Sequence, residues 1–380
     1  MKKILWMFGL PSENPEKALD LLSRGGFTHI TLPLKENLIK LALDHGFKVF
    51  IVFKAFDISN KRGEPSLLAE DPYGRKHVWF SSGCPNNPLL REERLEKLKE
   101  IATKYDIHGI SLDGIRFASP GSGINAFMTC FCRNCKYKAE ELGYNYWRMK
   151  KDVERLHKSL QNPSFIEYLK KTVNDFSMLI DFLLDYEGVL EWLSFRAECI
   201  AEYVKETRNL LKSIDPKLEL GAYLFTPTLS KLVGQDYRRL AWYLDVFQPM
   251  IYRLGEGVAC YNYELAVCAK DISELSGSAV SDILLLLYRL CGLDTLSPPL
   301  KLEDLFEKGL PLEAIHVEST KALRLAESSR VEPIIILKDP QVVFAAQKVI
   351  EAGCSGVNFF IYTNKLHETV EKLCEVVKTL

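Results

Sequence analysis

The chain has 380 residues, 47% of them hydrophobic and 26% charged, which is enough for a large buried core. Lys and Arg number 49 against 50 Asp and Glu. That balance gives no electrostatic reason to expect a nucleic-acid partner or an anionic membrane surface.

The opening MKKILWMFGLPSENPEK carries two lysines and then an apolar run. The run is too short for a secretory leader and lacks a small-residue cleavage site. Residues 4–10 therefore read as a first strand. Asn14-Pro15-Glu16 starts a helix, with Pro at its first position, that runs to Arg24 and closes on Gly25-Gly26. Residues 28–34 predict a second strand and LIKLALDHG a second helix. Residues 48–56, KVFIVFKAF, are apolar almost throughout, as suits a parallel strand covered on both faces.

A polar loop with Gly and Pro fills 57–86, and an amphipathic helix follows through PLLREERLEKLKEIATKYD. Residues 107–117 form the fourth predicted strand. A long, mostly helical excursion follows, ending in a periodic helix before residue 213. Strands are predicted at 218–225 and 245–253, then a second helical excursion with a break at Pro298-Pro299. The last strands fall at 332–338 and 356–362, and a helix closes the chain.

Strand and helix alternate eight times, the count for an α/β (β/α)8 TIM barrel. A doubly wound sheet is the alternative, but the first strand–helix turn, GLPSENPEK, lacks a Gly-rich phosphate loop. The expectation is one domain over 1–380, with insertions of about 118–190 after strand four and 254–329 after strand six. The apolar run Ile283–Tyr288 is too short to span a bilayer, so a soluble, cytoplasmic protein is expected.

Barrel chemistry gathers at the C-terminal strand ends. Strand four ends in Leu112-Asp113-Gly114-Ile115-Arg116, where a carboxylate costs β-propensity and desolvation. Asp113 reads as a nucleophile or general base with Arg116 beside it; a structural Asp–Arg pair bracing the rim is the competing reading. On strand six, Gln248 and Tyr252 are four apart and share a face, which suits sugar hydroxyls, although a rim tyrosine needs no such role. Other strand ends or the loops after them bring Asp57, Tyr223, Thr226, Glu256, Asp339, Tyr362 and Asn364. Glycoside hydrolysis needs two carboxyl groups across a sugar ring, and Glu256 and Asp339 are the leading partners for Asp113.

Ten cysteines in a cytoplasmic chain read as core thiols, ligands or nucleophiles. Cys130, Cys132 and Cys135 have C-x-C and C-x-x-C spacing, which lets thiolates converge on one soft cation. Cys84, in the loop after strand three, is the natural fourth ligand of a structural zinc. Three free thiols beside the sheet are the alternative. A site with an open position would instead make the metal catalytic.

HGISLDGIRF resembles the fourth strand of hypothetical glycosyl-hydrolase-like TIM-barrel families, and CPNNPLLREERLEKLKEIATKYDIHGI resembles their approach to it. MTCFCRNC is similar to the CFCxxC of one branch. VGQDYRRLAWYLDVFQPMIY and CSGVNFFIY resemble their sixth and last strands, so the likeness runs from about residue 80 to 362. It implies a TIM-barrel glycoside hydrolase acting on a carbohydrate substrate, with Asp113 the catalytic candidate and Arg116 and Tyr252 at further motif positions. His108 stands where the motif often has Asp, which weakens any role there. Two other readings remain: a catalytically idle barrel that binds a glycan or another partner, and a metal-dependent hydrolase using the cysteines.

Overall fold

A computed structural model describes residues 3–377. Eight strand positions close into a parallel barrel: β1 (Ile4–Phe8), β2 (His29–Leu32), β3 (Lys48–Lys54), β4 (Gly109–Asp113), β5 (Glu219–Phe225), β6 (Val246–Met250), β7 (Ile334–Ile336) and β8 (Gly356–Phe360). Each strand pairs in parallel with the next, β8 pairs with β1, and β7 meets β6 through Ile334 and Met250. The expected (β/α)8 TIM barrel is the architecture found.

The seventh position is split. Arg330–Val331 pairs with β6 ahead of β7, and Glu332-Pro333 separates the two pieces. Proline has no N–H to give a ladder, so the strand breaks there. The loop after β3 is less irregular than its composition suggests, because Ala69–Glu70 and Lys76–His77 form a small antiparallel hairpin.

The main core lies between the strands and the surrounding helices. Val49, Ile51, Ile110, Leu112, Leu220 and Leu224 supply its sheet side, all fully buried. Inside the barrel a separate cluster of Trp6, Phe50 and Val246 packs with His29, whose ring lies 4.5 Å from that of Trp6. Burial disfavours the charged imidazole and lowers the His29 pKa to about 3.

The helix before β4, Pro88–Lys104, starts cleanly because Pro88 is its first residue and the Asn87 side chain accepts from Leu90 N–H at 3.0 Å. Both excursions are helical, as expected. The first ends in the 28-residue helix Glu187–Ile214, and the second holds Tyr261–Ser276, Val280–Cys291, Leu302–Lys308 and Glu313–Leu325. No helix among the described residues is long and apolar enough to cross a membrane.

Candidate active site and cysteine cluster

A cleft of about 950 Å³ opens at the C-terminal mouth of the barrel. It is lined by Phe8 from β1, Asp113 from β4, Tyr223 from β5, Tyr252 just after β6, Ile336 from β7 and Phe360 from β8. Arg116, Glu256, Glu307 and Lys338 complete its charged lining. Four of the site residues expected from sequence, Asp113, Arg116, Tyr223 and Tyr252, therefore meet in one cleft, with Glu256 exposed on its rim.

Asp113 is the last residue of β4, and Gly114 follows with φ +66, a turn that glycine enters without steric cost. Burial raises the Asp113 pKa above the ordinary carboxylate value; the charges of Arg116 and Lys54 and the Gly114 N–H pull the other way. Arg116 is 3% exposed and sits over the rings of Trp79 (4.7 Å), Phe225 (4.8 Å) and Phe80 (5.3 Å). Its side chain donates to Phe117 O at 3.2 Å. Burial lowers its pKa to about 10, so it stays a cation at neutral pH, close to both Asp113 and Glu264. Phe80 holds its place with φ +49, a left-handed backbone unusual for a bulky side chain.

Tyr252 is buried and stacks on Phe360 at 5.7 Å. Tyr223 is buried 5.9 Å from the Phe8 ring, and burial pushes its phenol well above the ordinary value. Gln248 is fully buried and accepts from Ser111 Oγ at 3.1 Å; it is not among the residues lining the cleft. Asp339 is also outside that lining. Its Oδ1 accepts from Arg253 Nη2 at 2.7 Å and from Gln341 N–H at 2.9 Å, and it is 4% exposed. Arg253 in turn donates to Lys308 O and Leu310 O, so this pair ties β7 to the second excursion.

Two lining charges escaped the reading of the sequence. Glu307 lies on the helix Leu302–Lys308, deep in the second excursion, where no strand-end rule applies. Lys338 closes the predicted seventh strand, so its position was visible, but a lysine at a strand end has no motif to mark it.

The four cysteines come together. Cys84, Cys130, Cys132 and Cys135 are all buried, with sulfurs within 4.8 Å of one another. Cys84 Sγ lies 3.5 Å from Cys135 Sγ, 3.6 Å from Cys130 Sγ and 3.5 Å from Cys132 Sγ. A tetrahedron with metal–sulfur bonds of about 2.3 Å has an edge of roughly 3.8 Å, so this spacing fits a four-thiolate metal site.

Polar donors reach three of the sulfurs. Asn86 N–H donates to Cys84 Sγ (3.4 Å), Glu70 N–H to Cys130 Sγ (3.4 Å) and Asn86 Nδ2 to Cys135 Sγ (3.4 Å). The three neighbouring cysteines favour a thiolate at Cys132, while Cys130 and Cys132 push the Cys84 thiol up and burial pushes the Cys135 thiol up. Arg196 is fully buried, faces Phe117, Phe127 and Trp192, and donates to Ala118 O at 2.8 Å. Burial lowers its pKa to about 9, and the groups that favour its charge are Cys130 and Cys135. None of the four cysteines lines the cleft.

The fold and cleft define a (β/α)8 barrel with an acidic, aromatic mouth. No family model matches the chain, and no curated protein matches it. Solved structures do. The β-galactosidase from the psychrophilic Marinomonas ef1 superposes with TM-score 0.60 at 13% identity, over 99% of this chain and 59% of that one. A catalytic mutant of Gan42B, a GH42 β-galactosidase from G. stearothermophilus, gives 0.57 at 11% identity, over 99% and 56%. The catalytic domain of β-amylase from Paenibacillus polymyxa gives 0.51 at 13% identity, over 94% and 92%. These likenesses establish the fold; the chain spans under two thirds of the length of the galactosidases.

Proposed function

We propose that the protein is a glycoside hydrolase, with Asp113 as its proton-transferring carboxyl group and Glu256 across the cleft as the second. The observation that carries this reading is Asp113 itself: a carboxyl group at the end of β4, partly desolvated in the lining of a cleft rich in aromatic rings. The glycosidases that share the fold support the same class.

The chemistry follows from the surroundings. Burial favours the protonated carboxyl, which suits Asp113 to donate to a leaving glycosidic oxygen. That refines the expectation of a nucleophile or base, because a retaining enzyme uses one group as acid and then as base. Arg116, held by three rings, biases Asp113 back toward its anion once the proton has left. Tyr223 and Tyr252 would offer rings to the substrate, the Tyr223 hydroxyl being buried near Thr31, Ser111 and Asn358. Gln248 supports Ser111 under the floor and so acts on the site through packing. Asp339 holds Arg253, a bracing role, which leaves Glu256 as the partner, with Glu307 on the rim beside it.

The cysteine cluster would hold one zinc through Cys84, Cys130, Cys132 and Cys135. A closed thiolate site of this kind supplies cross-linking between loops rather than Lewis-acid chemistry. Free thiols at Cys84, Cys130, Cys132, Cys135, Cys199, Cys260, Cys268, Cys291 and Cys354 fit a reducing, cytoplasmic location.

A panel of aryl glycosides tests the reading. Wild type should release the aryl group from at least one sugar, and Asp113→Asn and Glu256→Gln should each lower kcat/KM at least about 100-fold with the fold intact. Undiminished turnover in Asp113→Asn would remove it from the mechanism. Glycan binding without hydrolysis by wild type would point to the idle barrel.

A further inference from the structure

The cleft does not end at β8. Phe8 and Ile361 line both it and a second chamber of about 510 Å³ that spreads over the ends of β1, β2 and β8. The two chambers adjoin at these residues, and together they offer more room than a single sugar ring requires.

Charge divides along this groove. Asp113, Glu256 and Glu307 enter from β4 and from the segments that follow β6, with the Arg116 cation held beside Asp113. On the other side the charged lining residues are Lys338, after β7, and Lys35, after β2. Among the described residues the second chamber is lined by no carboxylate, and neither lysine side chain forms an ion pair. The nearest acids are turned elsewhere: Glu36 faces Lys104 at 4.0 Å, Glu13 lines the adjoining depression with Lys17, and Asp339 is held by Arg253. The chamber also offers Ser12, Asn37 and Thr363, groups that pair with hydroxyls.

We propose that the two adjoining chambers, with Lys35 in the second and Lys338 in the main cleft, form subsites for carboxylate-bearing sugars, so that the groove takes an acidic oligosaccharide such as a uronic-acid chain. This rests on the reading of the cleft as a carbohydrate site. The acids stand where a glycosidic bond would be broken, and each lysine stands where the carboxylate of a neighbouring unit would lie. Two ammonium groups with no protein counter-ion lose no existing pair when an anionic ligand arrives.

The test measures binding, so it does not depend on turnover. Oligogalacturonate and its carboxyl-reduced neutral counterpart, equal in length, are titrated into wild type and into Asp113→Asn, which cannot consume them. Both proteins should bind the acidic chain roughly 3- to 30-fold more tightly, as two partly exposed ion pairs provide, and the preference should shrink as salt rises. In a Lys35→Gln/Lys338→Gln protein, with folding checked by its thermal transition, the ratio of the two affinities should fall to about one. Equal affinities in wild type, a preference that survives the double substitution, or binding of neither chain would each overturn the subsite. A protein that hydrolyses aryl glycosides but shows no acid preference refutes the subsite alone. One that prefers the acidic chain but hydrolyses no glycoside refutes the catalytic reading alone.

Discussion

Glu332 is fully buried at the end of the barrel opposite the cleft, between the two pieces of the seventh strand, and neither of its oxygens accepts a well-formed hydrogen bond. Arg330 Nε lies 3.5 Å away but is shared, since Arg330 also pairs with Glu219 at 2.8 Å. Desolvation therefore wins and raises the pKa from 4.5 to about 7. The native state binds more protons than the unfolded chain between those values, so this residue costs stability as pH rises from about 4.5 to about 7. The cost above that window is up to about 3 kcal/mol, from 1.36 kcal/mol per pKa unit. Glu332→Gln should leave the thermal midpoint nearly unchanged at acidic pH and raise it at pH above 7. Melting curves at both ends of the window decide it; a variant that is less stable at alkaline pH would show that the Arg330 pair outweighs desolvation.

The cysteine cluster joins two elements that follow neighbouring strands. Cys84 stands in the loop after β3 and the other three in the excursion after β4, with Cys135 in the first turn of the helix Arg133–Glu141. The same loops carry Phe80 and Arg116 to the cleft and Trp79 against Arg116, so the cluster fixes the segments that shape it. Metal analysis should find about one zinc per chain, and Cys132→Ser should lose it. Zinc binding of this kind contributes several kcal/mol to folding, so the midpoint should fall by roughly 5 °C or more. A metal-free wild type with an unchanged melt would leave four core thiols and no staple. Three of its ligands were legible because their spacing is local in sequence, and Cys84 because loops after neighbouring strands can meet. The strands were legible for a similar reason, since runs such as Val49–Phe53 are apolar on both faces. Asp113 and Tyr252 followed once the strands were placed. The fates of Gln248 and Asp339 did not. Whether a strand-end side chain lines a cleft or turns into packing depends on partners more than 80 residues away, Ser111 for one and Arg253 for the other.

At the scale of the whole molecule, the proposed glycosidase chemistry would set activity at the barrel mouth against stability. Sites built to hold a carboxyl group out of water carry a cost that the rest of the fold must offset. Asp113 is such a group: burial is the largest influence on it, and Arg116, Lys54 and the Gly114 N–H offset only part. Its pKa is raised above 3.8, so folding favours the protonated form, and the native state loses stability as pH rises past that ordinary value. Asp113→Asn keeps the shape and removes the charge. It should therefore be inactive and yet melt at or above the wild-type temperature at neutral and alkaline pH, with the gap closing in acid. Thermal midpoints of the two proteins across that pH range, beside glycosidase assays of the same samples, measure both sides of the exchange. An inactive variant that melts lower at every pH would show instead that the Asp113 charge anchors Arg116 in its aromatic box. The carboxylate would then be bracing the barrel rim, the competing role that its place next to an arginine raised from the outset.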